Sequence, residues 1–135
     1  MKKKITVWTG GMALLALALT LVSAAPQDDK VMTKEDGMYV VNTTKIGSQY
    51  LGYVDTTPLK IYIKKNKVVK IEGLANQETP KYWAKVKKQL LDKWNGMKVN
   101  DALKAEVDGV TGATFSSDAV KGNVKAGLEY YKKNK

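Results

Sequence analysis

Hydrophobic and polar positions alternate first with a strand period and later with a helix period. Residues 38–43 (MYVVNT) open the β-like part, and residues 49–55 alternate loosely around Tyr50 and Leu51. Leu59, Ile61 and Ile63 fall on one face of the run LKIYIK, while Lys60, Tyr62 and Lys64 fall on the other. After Lys65-Asn66-Lys67 the run VVKIE at 68–72 resumes the pattern, so a hairpin turning at Asn66 is predicted. From Thr79 the period changes. Thr79 suits a helix N-cap and Pro80 its first position. Trp83, Val86, Leu90 and Trp94 then recur at helical spacing, with Lys85, Lys87, Lys88 and Asp92 facing water and Gly96 as terminator. Asn100 or Asp101 is expected to cap a short turn through Leu103. A second long helix is expected from Ser116–Ser117, with Asp118 in its first turn and Val120, Val124, Leu128 and Tyr131 as its buried stripe. Strands followed by helices predict an α+β fold, a small antiparallel sheet with two main helices packed on it.

The first residues carry a different signal. Lys2, Lys3 and Lys4 precede an apolar stretch from Met12 to Val22, closed by Ser23, Ala24 and Ala25. This is the pattern of a secretory signal peptide, residues 1–24, with cleavage expected after Ala24. An uncleaved membrane anchor is the competing reading, because residues 5–26 carry no charge. Both place the domain outside the cytoplasm, in the periplasm or at the cell surface. Residues 25–37 (APQDDKVMTKEDG) are polar and expected to be a flexible start, leaving 38–135 as the folded domain.

Composition narrows the chemistry. Cysteine and histidine are absent. That removes disulfides, thiolate metal sites, iron–sulfur ligation, catalytic triads built on histidine and imidazole bases. Redox chemistry would therefore need a bound organic cofactor. All 23 basic residues are lysine, and the formal net charge is +10. Without the three leader lysines, twenty basic residues still oppose 13 acidic ones. The lysines are dispersed and no arginine is present to fork onto phosphates or bases, so nucleic acid is not expected as a partner.

Between the two helical segments lies Asp108-Gly109-Val110-Thr111-Gly112-Ala113-Thr114, followed by Phe115-Ser116-Ser117. Two glycines and an alanine allow close approach to the backbone. The following helix start offers N–H groups that favour an anion, above all a phosphate. Thr111, Thr114, Ser116 and Ser117 supply hydroxyls. On the residues alone, a phosphate-bearing loop and a tight turn before a capped helix both remain open.

The run Asp-x-x-Thr-Gly-Ala-Thr resembles the flavinylation motif of the FMN-binding domain family. That family includes the extracytoplasmic flavin subunits of sodium-pumping NADH:quinone oxidoreductase and of its ferredoxin-linked relative. The resemblance extends over residues 36–132. Asp36-Gly37-Met38-Tyr39 is similar to the family's opening strand, and the hairpin over 61–71 to its central pair. Glu78-Thr79-Pro80 is similar to a loop that approaches the flavin, and the closing helix also fits. The resemblance implies FMN as cofactor, joined through its phosphate to Thr114 by a dedicated flavin transferase that requires Asp108. It implies cofactor contacts for Gly109, Thr111, Gly112 and Ala113 in the motif, for Ser116 just after it, and for Glu78 and Thr79 in the earlier loop; Tyr82 is a further candidate contact, at a position where the chain departs from the family.

The family loop commonly continues with glycines after Glu-Thr-Pro, where this chain has Lys81, Tyr82 and Trp83. Tyr82 could stack on the ring system, whereas Trp83 belongs to the apolar helical stripe. Glu78 reads as a flavin contact or a polar turn residue, and Thr79 as a cap before a ligand. Ser116 and Ser117 read first as caps, and Tyr130 and Tyr131 as packing residues. The expected function is electron transfer with unidentified extracytoplasmic or membrane redox partners, as a carrier or redox subunit rather than a stand-alone enzyme. The alternative is an exported basic binding module without covalent flavin.

Overall fold

The computed structural model describes residues 30–135. The leader, its cleavage after Ala24 and the alternative anchor lie outside the described residues. No helix among the described residues is long and apolar enough to cross a membrane.

Four strands form one antiparallel sheet: β1 Met32–Glu35, β2 Met38–Asn42, β3 Leu59–Lys64 and β4 Lys67–Gly73, in sequential order. Strand β1 falls inside the 25–37 stretch expected to be a flexible start. Val31 and Met32 pack against the core, and Asp36 and Gly37 turn the chain at φ 50° and 80°. Two consecutive left-handed residues make the hairpin turn whose twist matches that of the paired strands. The β3–β4 hairpin turns the same way at Lys65 and Asn66, φ 52° and 62°. A bulge between Tyr62 and Ile63 shifts the later register. Leu59, Ile61 and Ile63 share the buried face with Val41, as the alternation predicts, whereas Val68 and Ile71, three residues apart, both reach that face because of the bulge.

Residues 49–55 are not a strand. Leu51 and Thr56 form an isolated bridge, and Gly52 N–H donates to the Asp55 carbonyl at 2.8 Å, closing a turn. Leu51, Tyr53 and Val54 are consequently exposed. The loop's root is fixed by a buried pair. Thr43 Oγ1 donates to Asn123 Oδ1 at 2.6 Å and accepts the Leu59 N–H at 2.9 Å.

Helix α1, Pro80–Gln89, begins at the expected Thr79 and Pro80 but ends before Gly96. Leu90 is the C-cap at φ −116°, its N–H still bonded to the Val86 carbonyl at 2.9 Å, and a tighter 3₁₀ turn follows over Leu91–Trp94. Leu90, Leu91 and Trp94 are all buried as a result, so the apolar stripe survives the change of pitch. Gly96, φ +85°, returns the chain to the sheet and donates to the Val68 carbonyl at 2.7 Å. Helix α2, Val99–Lys104, has Lys98 at its N-cap position rather than Asn100 or Asp101 and no side-chain cap, and Val99 at its first position is buried in the core. Helix α3, Thr114–Asn134, starts two residues earlier than expected, which moves Asp118 out of its first turn. Its stripe of Val120, Val124, Leu128 and Tyr131 covers the buried face of the sheet. The fold is therefore α+β, as expected.

Candidate functional site

The motif loop runs into the longest helix through a left-handed glycine. Gly112 has φ +82°, and Ala113 stands at the N-cap position with no side-chain cap. Thr114 is consequently the first helical residue, and it is exposed. The loop is braced from within. Ala113 N–H donates to the Val110 carbonyl at 2.9 Å, and Ser117 Oγ accepts the Val110 N–H at 2.9 Å. A Cβ at Gly109 would lie 3.2 Å from Ser117 Cβ, so a small residue suits this approach.

No acidic side chain occupies the first turn of α3. The N–H groups of Thr114, Phe115 and Ser116 have no intrahelical acceptor, as at any helix start. They and the helix dipole favour a negative group in front of Thr114. Helix α3 has 21 residues, so its dipole is fully developed.

In front of this helix end lies a cleft of about 460 Å³, lined by Tyr53, Glu78, Thr79, Tyr82, Gly112, Ala113, Thr114, Phe115 and Ser116. Its size is ordinary for a small-molecule site. Tyr53 and Phe115 stand at its edge with ring centroids 6.3 Å apart. Both are largely exposed, at 70% and 63%, unlike packing aromatics.

Glu78 is only 6% exposed, and its carboxylate is held by hydroxyls. Ser116 Oγ donates to Oε1 in a short contact, and Thr57 Oγ1 donates to Oε2 at 3.3 Å. Its own N–H donates to Asn76 Oδ1 at 2.9 Å. Glu78 therefore ties the start of α3 to the segment entering α1. Gly52 leaves room for this contact: a Cβ there would stand 2.1 Å from Glu78 Oε2.

Of the residues singled out by sequence, Glu78, Thr79, Tyr82, Gly112, Ala113, Thr114 and Ser116 thus meet at one cleft. Asp108 and Gly109 do not line it. They border a separate hollow of about 410 Å³ with Lys88, Gln89, Asp92 and Lys93. Thr111 is exposed on the loop and lines neither. Thr79 occupies the N-cap position but its hydroxyl makes no cap bond. Ser116 and Ser117 are not caps either: Ser116 faces Glu78 and Ser117 faces the loop. Trp83 packs over Gly73, where a Cβ would stand 2.4 Å from its ring, and so belongs to the core. Tyr131 also packs, edge-on to Tyr39 at 5.3 Å.

Tyr53, Phe115, Thr57 and Gly52 were not legible as site residues. Tyr53 sits in the run read as a strand, and Thr57 meets Glu78 across 21 positions of sequence. Phe115 carried the one usable signal, a large apolar side chain between a glycine-rich loop and the helix stripe.

A family model described as FMN-binding domain matches residues 52–129, more than half of the chain. The match begins at Gly52 and spans both halves of the cleft. Comparison with curated proteins and with solved structures returns no match.

Proposed function

Because the chain belongs to the FMN-binding domain family, with FMN as its cofactor, we propose that it is an extracytoplasmic electron-transfer protein holding that cofactor through a phosphoester to Thr114. The observation that carries this reading is the position of Thr114. Its hydroxyl stands at the first residue of a long helix, exposed at the lip of the cleft, where helix N–H groups favour a phosphate.

The residues present fit FMN. Thr114, Phe115 and Ser116 offer backbone N–H groups to its phosphate; the turn itself carries no acidic residue, and the neighbouring Glu78 carboxylate is engaged by the Ser116 and Thr57 hydroxyls. Tyr53, Phe115 and Tyr82 offer apolar faces to a planar ring system and limit water around it. Glu78, fixed by Ser116 and Thr57, gives the cleft a polar, immobile floor. Bound FMN supplies one- and two-electron redox chemistry, while the chain supplies orientation and surroundings.

A covalent bond suits a protein working outside the cytoplasm, because a cofactor that dissociates there is lost. An exposed Thr114 is accessible to a flavin transferase. Asp108, also exposed and facing a different hollow, is placed to be read by that enzyme rather than by the flavin. Electrons would pass to and from unidentified redox partners outside the cytoplasm or in the membrane.

The test is intact mass and peptide mapping of the full chain co-expressed with a flavin transferase and exported. A mass increase equal to FMN less water on the Thr114 peptide supports the proposal. An unmodified chain, from a host that loads a control protein, overturns the covalent link.

A further inference from the structure

Among the described residues, a concentration of like charge lies at the other end of α3. Residues 114 and 131 are separated by about 25 Å at the helical rise of ~1.5 Å per residue, so this region is remote from the cleft. A hollow of about 640 Å³ is bordered there by the β3–β4 turn, α2 and the end of α3. Six lysines line it, Lys65, Lys67, Lys98, Lys104, Lys132 and Lys135, against one acid, Asp101.

The backbone forces Lys67 against two other lysines, Lys98 of the lining and Lys64 beside it. Lys64 and Lys67 are cross-strand partners in the hairpin, and Lys67 pairs again with Lys98 in an isolated antiparallel bridge. Like charges directly opposite one another destabilise a ladder. Helix dipole can account for Lys132, which lies in the last turn of α3, but not for Lys65, Lys67 or Lys98. Among the described residues, none of Lys65, Lys67, Lys98, Lys104 and Lys132 has an ion-pair partner.

The frame beneath them is fixed. Asn66 Oδ1 accepts from Tyr131 Oη at 2.5 Å and from Lys135 Nζ at 3.0 Å, and the Asn66 carbonyl accepts the Val99 N–H at 2.8 Å. One hairpin residue thus locks all three elements. The protein holds these positive charges in a preset concave arrangement instead of dispersing them.

We propose that this hollow binds a phosphate-rich anionic polymer, which relieves the repulsion between the paired Lys67 and Lys98 and engages the other lysines of the lining. Lysine ammonium groups act as hydrated point charges and suit successive phosphates on a flexible chain. Of the exposed large hydrophobics, Leu51, Tyr53, Val54, Tyr82 and Phe115 border neither this hollow nor the adjoining one that shares Lys65 and Lys67; Val69 alone borders the latter, and one valine is a poor wedge for a bilayer. The only aromatic in the lining, Tyr131, is 2% exposed and unable to stack on bases. A polymer bound here leaves the cleft end of the molecule open.

The test measures binding of long-chain inorganic polyphosphate to the full chain by fluorescence anisotropy at several salt concentrations. Tight binding at low salt that weakens steeply with added salt is expected. K67Q/K98Q removes two charges that make no side-chain bonds, and should weaken binding on the order of tenfold or more. K85Q/K88Q, on α1, should change it little. Equal loss in both variants overturns the location. Equal affinity for polyglutamate, or stronger binding to phosphatidylglycerol vesicles, overturns the phosphate-polymer assignment, as does failure to bind polyphosphate. None of these outcomes depends on flavin loading.

Discussion

Ser117 Oγ accepts the Val110 N–H at 2.9 Å, so the fourth residue of α3 holds the middle of the motif loop in place. Val110 is 5% exposed, which leaves its N–H without water as a substitute partner. Ser117→Ala therefore strands a buried donor, at a cost of about 1–3 kcal/mol. Urea unfolding should register this loss. Flavin loading should fall as well, because the loop that presents Thr114 loses its brace. Full stability in the variant would show that the loop needs no such brace.

Thr114→Ala should abolish acid-stable flavin while changing unfolding free energy by less than about 0.5 kcal/mol, as for an exposed residue with no structural bond. Thr114→Ser keeps a hydroxyl at the same helical position and should retain some loading. Trichloroacetic acid precipitation followed by fluorescence of the pellet distinguishes the two variants. Acid-stable flavin in the alanine variant would exclude Thr114 as the attachment point.

Asp108→Ala should leave thermal unfolding nearly unchanged, since Asp108 is exposed. It should instead slow loading by purified transferase. An unchanged loading time course would remove Asp108 from the recognition surface.

Gly52→Ala introduces a Cβ 2.1 Å from Glu78 Oε2 and 2.7 Å from Thr57 Oγ1. Glu78 must then move, taking the Ser116 contact with it. The expected cost is about 1–3 kcal/mol, as for other overpacked sites. Because Glu78 lies at the cleft floor, the flavin absorption spectrum and reduction potential should shift too. A destabilised variant with an unaltered spectrum and potential would make Glu78 a purely structural tie.

On the open face of the sheet, Tyr62 donates to Glu72 Oε1 at 2.9 Å, and Lys70 lies 3.2 Å from Oε2. The Tyr62 hydrogen bond, then Lys70, holds the Glu72 carboxyl below its ordinary 4.5. A lowered folded value means stability that is present above the ordinary value and lost as pH falls through the folded one. Burial, then the bond to Glu72, raises the Tyr62 phenol above its ordinary 10.0. That contribution is present below the ordinary phenol value and lost as pH rises through the folded one. Tyr62→Phe should therefore flatten both the acid and the alkaline limbs of the stability profile. The effect is small because the Glu72 side chain is about half exposed, at 48%, and Tyr62 is only partly buried. Unchanged limbs in chemical denaturation would dismiss the pair as a source of pH dependence.

Local pattern alone determined a β3–β4 turn at Asn66, though not that Lys67 already belongs to β4, together with the inward set of Leu59, Ile61 and Ile63 and the buried stripe of α3. Each follows from side-chain period or from residues that tolerate left-handed backbone, and both are properties of near neighbours. The motif at Asp108–Thr114 was also readable as a glycine-rich loop entering a helix, since glycines, hydroxyls and a helix start are adjacent in sequence. Tertiary structure decided the rest. Residues 49–55 alternate like a strand, yet Gly52 must meet Glu78 and Thr57, so the chain turns there and exposes Tyr53 to the cleft. Helix α3 starts at Thr114 because Ser117 is claimed by Val110 and cannot cap. Glu78 and Ser116 lie 38 positions apart and meet only when α1 and α3 pack on the same sheet. The lysines of the distant hollow were legible as charge but not as a cluster, because their juxtaposition depends on Asn66 joining the hairpin, α2 and the end of α3. Periodicity reports which face of an element is buried, whereas contacts between elements depend on how those faces pack.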